Sequence, residues 1–194
     1  MIFLYSTKVM YLKRNNNCLF KENNFMGDIK NLRNSEAIEK IKELAMAANI
    51  CIFVTNLTEL PLSARPMATQ EVDEEGNIWF LSKNDSDKNL HIADDNRVQL
   101  FYSNGSNYEY LSIYGTGEIL DDRAKIEELW TPIVKAWFKE GQNDPSISLI
   151  KVKPSDAYYW DTKNNKMISL IKIAISALTG LTKDDGGVEG TLKV

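Results

Sequence analysis

From Ser35 to Asn49 the apolar residues Ile38, Ile41, Leu44 and Ala48 recur at a spacing of three to four, which predicts one amphipathic helix. Asn34 or Ser35 is placed to cap it, and Glu36 stands four residues ahead of Lys40 on the same face. The period then changes. NICIFVTNL (49–57) is apolar and β-branched, the pattern of a buried strand, and LSARPMATQEV and IWFLS on either side of DEEGN predict a hairpin turned by Gly76. SDKNLHIADD predicts a short helix capped by Ser86 or Asp85, and RVQLFYS a further strand. After the NGSN turn, YEYLSIYGTGEIL alternates through Leu111 and Ile113, and its two glycines mark a bulge or a close backbone approach. Asp121 and Asp122 open a helical pattern, DDRAKIEELWTPIVKAWF, that Pro132 breaks or kinks. SISLIKVKP and DAYYWDT read as two more strands, KMISLIKIAISALTG as an apolar helix stopped by Gly180, and LTKDDGGVEGTLKV as a polar, loop-like tail.

Four to six strands joined by short turns, with helices before, between and after them, predict an α+β chain. The strands follow one another too closely for βαβ crossovers, so a small antiparallel barrel with helices at its ends is expected. With 194 residues, 43% hydrophobic and 26% charged, one domain is the default. A chain of this length buries roughly 70% of its unfolded surface and needs no disulfide. Cys18 and Cys51 therefore read as free thiols in a reducing, cytoplasmic compartment. The net charge of −4 and pI near 5.2 exclude broad binding to nucleic acid or an anionic membrane, and no apolar run approaches the roughly 20 residues that cross a bilayer. Small molecules or protein are the expected partners. Residues 1–25 are rich in asparagine and lysine without a period and precede Met26, so they are expected to be a poorly ordered extension ahead of one domain over 26–194.

Much chemistry is absent. The one histidine, His91, lies between Leu90 and Ile92 and reads as structural or surface-exposed; the cysteines stand outside any CxxC, and there is no P-loop. What remains is a set of phosphate-compatible groups: Arg65 on the first hairpin strand, and Ser82, Lys83, Ser86 and Lys88 in FLSKNDSDKN just after the second. If the hairpin strands lie side by side, these groups converge, with Ser86 and Lys88 at a helix N-terminus, as a phosphate dianion requires. A solvated polar turn after an edge strand accounts for the same residues. The neighbouring Arg65 and Pro66 pose the same choice, since an apolar strand carries such a pair only at a sheet edge or facing an anion. AYYWDT sets three large rings in succession, of which at least one must face a partner subunit, a ligand or solvent.

The order of ICIFVTN, LSARPMAT, IWFLSKNDSDKNLHI, RVQLFYS, YLSIYGTGEI, WFKEGQNDPSISLIKVKP and AYYWDT resembles the FMN-binding split-barrel proteins of the pyridoxamine 5'-phosphate oxidase-like superfamily, within it the general stress protein 26 branch. The resemblance spans about residues 30–194. It implies a six-stranded antiparallel split β-barrel with flanking helices, forming a homodimer with FMN at the subunit interface. By similarity, Arg65, Pro66, Met67 and Ala68 would line the flavin edge and the approach to its phosphate, and Ser82, Lys83, Ser86 and Lys88 would hold the phosphate. Tyr110 falls where the oxidases place a glutamine near the flavin, and Trp160 resembles the aromatic that reaches the flavin from the partner subunit. The oxidases' C-terminal arginine and histidine have no counterpart in DDGGVEGTLKV, and Asp87 stands where their phosphate site has an arginine. The resemblance therefore implies flavin binding, with or without an oxidoreductase reaction, rather than the pyridoxamine-phosphate oxidase reaction itself. A flavin carrier or sensor without turnover, and a split barrel taking deazaflavin or heme, are the alternatives.

Overall fold

The computed structural model describes residues 28–132, 134–138, 140–162 and 187–194. The expected N-terminal extension, Cys18, and the apolar helix expected to stop at Gly180 lie outside these. Two short strands, β1 (Asp28–Ile29) and β2 (Leu32–Arg33), lead into α1 (Ser35–Ala48), which buries Ala37, Ile41, Leu44 and Ala45, while Ile38 and Ala48 of the expected stripe are half-buried. The strands β3 (Ile50–Thr55), β4 (Ser63–Ala68), β5 (Glu71–Val72) and β6 (Ile78–Lys83) follow, then α2 (Asp87–Asp94), β7 (Arg97–Asn104) and β8 (Glu109–Leu120). The chain continues through α3 (Arg123–Glu128), β9 (Ile147–Thr162) and β10 (Gly187–Lys193). Asp122 caps α3, its side chain accepting from the Lys125 amide, and the helix ends ahead of Pro132, followed among the described residues by 3-10 turns at Val134–Ala136 and Gly141–Asn143.

The expectation of six antiparallel strands is corrected: the described residues form one ten-stranded sheet in the order β1-β10-β9-β8-β7-β3-β4, with β6 also on β9 and β5 on β6. It is mixed, because β1 and β2 run parallel to β10. Two elements differ from the sequence pattern, one adding a strand and one merging two. The tail that looked like a loop is β10, whose Leu192 is fully buried and whose Gly190 lets the Lys30 carbonyl approach to 2.1 Å from where a Cβ would stand. SISLIKVKP and DAYYWDT are not separate strands but halves of the 16-residue β9. Its first half pairs with β6 and its second with β10, while β8 runs along its other edge.

A bulge keeps the long strand continuous through Pro154. Tyr114 pairs with Asp156 but Gly115 with Pro154, so Ser155 is the extra residue, its hydroxyl donating to the Tyr114 carbonyl at 3.2 Å. An added residue reverses which side chains face inward. Val152 and Pro154 are buried before it; Ala157 and Tyr159 are buried after it, turning Tyr158 and Trp160 to the outer face.

The sheet coils so that the inner faces of β3 and β6 meet, with the Phe53 and Phe80 rings edge to face at 5.1 Å. Leu100, Ile113, Ile150 and Tyr159 fill the space between, under α1. A second cluster, with Ile126, Leu129, Val134 and Phe138, packs α3 and the following turn on Trp79, Ile147 and Leu149. No ladder among the described residues joins β4 to β6.

Candidate functional site

The expected hairpin proves to be only β5 against β6, Glu71 facing Trp79 and Val72 facing Ile78. Arg65 lies earlier, on β4, which pairs with β3 instead and forms an edge of the sheet, so contrary to the expectation hairpin pairing does not set Arg65 beside Ser82. Pro66 sits on that edge, where a strand tolerates a missing N–H. Strand alternation separates the four β4 candidates: Arg65 and Met67 are half-buried on the inner side, whereas Pro66 and Ala68 are exposed on the outer side.

On the inner side Arg65 reaches back over β3. Its Nη1 donates to Thr55 Oγ1 at 2.7 Å and to the Phe53 carbonyl at 3.4 Å, and its Nη2 donates to Ser63 Oγ at 2.5 Å. Lys88, in the first turn of α2, comes near enough that the guanidinium helps to depress its pKa, after the larger effect of burial. Burial likewise lowers the pKa of Arg65, against the opposing influence of Asp87, and Asp87 and Asp85 offset part of the effect on Lys88. Among the described residues neither cation forms a salt bridge. Two half-buried positive charges are thus held together without a carboxylate in contact, which is unfavourable unless an anion joins them.

The α2 N-terminus beside them is fixed by a buried hydroxyl–amide network. Ser82 Oγ donates to Asn89 Oδ1 at 2.8 Å and lies 3.1 Å from Ser86 Oγ; Ser86 Oγ donates to the same amide oxygen, and Asn89 Nδ2 donates to Ser148 Oγ at 2.8 Å. Ser82 is therefore buried beneath the helix terminus and anchors it, while Ser86 occupies the N-cap position half-exposed. Lys83 is exposed on the other side of β6, and its charge acts on Asp144. Thr55, Asn89 and Ser148 were not singled out from the sequence. A hydroxyl or amide within an apolar strand or helix signals a buried polar contact but not its partner.

Pro66, Ala68, Tyr110 and Trp160 share the outer face of the sheet. Tyr110 and Trp160 are cross-strand partners, and Trp160 stacks tilted on Tyr158 with ring centroids 4.7 Å apart. Pro66 faces Ile52, and Ile52 faces Phe101, which are 45% and 47% exposed. Exposed apolar and aromatic side chains thus recur over five adjacent strands, β4, β3, β7, β8 and β9.

Fold and site together describe a coiled-sheet protein with a cationic corner at one helix terminus and an aromatic outer face. Residues 36–184 match the family model described as pyridoxamine 5'-phosphate oxidase like, and the chain belongs to that family. Its solved neighbours include a general stress protein 26 from Jannaschia sp. CCS1, with a TM-score of 0.64 and 24% identity over 82% of this chain and 96% of that one. A general stress FMN/FAD binding protein from Xanthomonas citri has a TM-score of 0.58 and 26% identity over 68% of this chain and 93% of that one. The Protein bli-3 of Neurospora crassa is 26% identical over 128 residues, and the match spans 61% of its length. No helix among the described residues is long and apolar enough to cross a membrane, and none of their His, Cys, Asp and Glu side chains cluster as a metal site.

Proposed function

We propose that the chain is an FMN-binding flavoprotein of the general stress protein 26 type that works as a homodimer. One observation carries the reading: Arg65 and Lys88 are held together, half-buried and without a carboxylate contact, beside the α2 N-terminus. A flavin mononucleotide phosphate supplies the missing negative charge, and the helix amides supply donors. The bound flavin would provide the redox chemistry, which leaves the protein to position it, so the scarcity of acid–base side chains is no obstacle.

The outer face supports the dimer. Ile52, Phe101, Tyr110 and Trp160 form an apolar, aromatic patch, bordered at Trp160 by Glu189 of β10, the composition of an interface core with a polar rim. Pro66 and Ala68 border it from β4, so a ligand at the β4 edge would lie between the cationic corner and a second subunit.

Titration of purified protein with FMN, read by quenching of flavin fluorescence and by the absorption spectrum, tests this directly. A saturable quench with 1:1 stoichiometry and the two-band flavin spectrum are expected; no quench removes the flavin site. A Soret band would assign heme instead. NAD(P)H oxidation above the free-flavin background separates an oxidoreductase from a carrier.

A further inference from the structure

His91, left out of the site by its sequence context, is joined to it through Thr55. Thr55 is fully buried, and its Oγ1 lies 2.7 Å from Arg65 Nη1 and 3.0 Å from His91 Nδ1. A guanidinium carries donors only, so this hydroxyl accepts from Arg65. Its own proton then needs an acceptor, because a buried hydroxyl proton left unpaired is costly. His91 Nδ1 is positioned to take it, and an imidazole accepting at Nδ1 is neutral with its proton on Nε2. In the opposite order, with Nδ1–H donating, Thr55 Oγ1 would accept from both Arg65 and His91 and its own buried proton would lose the imidazole as acceptor; were the ring an imidazolium, it would also add a cation one helical turn from Lys88 and beside Arg65.

We propose that His91 is a positioning residue for the anion corner: as the neutral Nε2–H tautomer it takes the Thr55 hydroxyl proton and so fixes Thr55 Oγ1 as the acceptor that aims the Arg65 guanidinium. The proposal rests on the reading of this corner as the flavin-phosphate site. Ser63 holds the other terminal nitrogen of Arg65, which leaves Nε–H and one Nη2 proton for the ligand. His91 touches no ligand in this arrangement. It acts by restricting the hydroxyl, and through it the guanidinium.

Because the chain has a single histidine, its imidazole nitrogens give one set of NMR signals, and the tautomer is read on the unaltered protein with the ring neutral. Nε2–H is expected; a proton on Nδ1 overturns the proposal. The second measurement compares FMN with riboflavin, which lacks the phosphate. His91→Leu should weaken FMN about threefold to tenfold, the net worth of one hydrogen bond, and leave riboflavin unchanged. His91→Asn, which returns an acceptor near the place of Nδ1, should restore FMN affinity. Equal loss for both flavins marks a merely structural residue and overturns the proposal, as does unchanged FMN affinity in His91→Leu. If the unaltered chain binds neither flavin, the flavin reading fails on its own. Inorganic phosphate then replaces FMN as the probe of the same corner, with the same expected loss.

Discussion

Gly115→Ala should be among the most damaging single-methyl changes in this protein. A Cβ at Gly115 would stand 2.3 Å from the Lys153 carbonyl oxygen, 3.0 Å from its carbon and 3.1 Å from Pro154 Cα, all backbone atoms that cannot rotate away. Relief to an ordinary contact requires β8 and β9 to separate by about 1 Å, which stretches the neighbouring ladder hydrogen bonds beyond useful length. Losing about two such bonds at ~1 kcal/mol each, plus ~1 kcal/mol of repacking, gives a destabilisation of about 3 kcal/mol. Gly117 supplies the control. It is on the same strand and face, but a Cβ there meets only Ile92 and Val98 side-chain carbons at 3.4 Å. Gly117→Ala should therefore cost less than about 1 kcal/mol, since a methyl in van der Waals contact offsets little strain. Urea unfolding followed by tryptophan fluorescence measures both. Equal midpoints for the two variants, or a Gly115→Ala midpoint matching the parent, would refute the account of the bulge.

Arg65→Ala and Lys88→Ala should each weaken FMN binding by about 1.5–3 kcal/mol, the range for a charged hydrogen bond, and unchanged affinity in both by fluorescence titration would remove the site. Phe101→Lys, which sets a charge in the centre of the apolar outer face beside Ile52, should shift a dimer toward monomer in analytical ultracentrifugation; a sedimentation coefficient unchanged from a dimeric parent would place the interface elsewhere. Burial pushes the Cys51 thiol from 9.0 up to about 12. Both states keep the proton below about pH 9, whereas above it the unfolded thiol ionises and the folded one does not, so stability falls as pH rises toward 12. The slope is about 1.4 kcal/mol per pH unit, Cys51→Ala should flatten it between about pH 9 and 10, and urea midpoints that decline identically in the variant would contradict this.

Local pattern determined much here. The α1 helix with Ile41 and Leu44 inward, the β3 and β7 strands, the start of α2 after Ser86, the Gly76 turn with its positive φ of 82° and the halt ahead of Pro132 all follow from side-chain period and backbone freedom. The residue types that meet at the corner, Arg65, Ser86 and Lys88, were equally legible, being of the kinds an anion requires. Pairing between distant strands was not. Period identifies a strand but not its neighbour, so β4 was set against β6 when it lies on β3, and Ser82 was read as a ligand when its hydroxyl holds Asn89 under the helix. The tail GVEGTLK became β10 only because β1, β2 and β9 supply the hydrogen bonds that its own weak pattern does not advertise. Most consequential is the single extra residue at Ser155. The sequence alone determined that three adjacent rings at Tyr158, Tyr159 and Trp160 could not all point inward, but only the register of β9 against β8, shifted by that bulge, decided that Tyr159 goes to the core while Trp160 joins Tyr110 on the outer face.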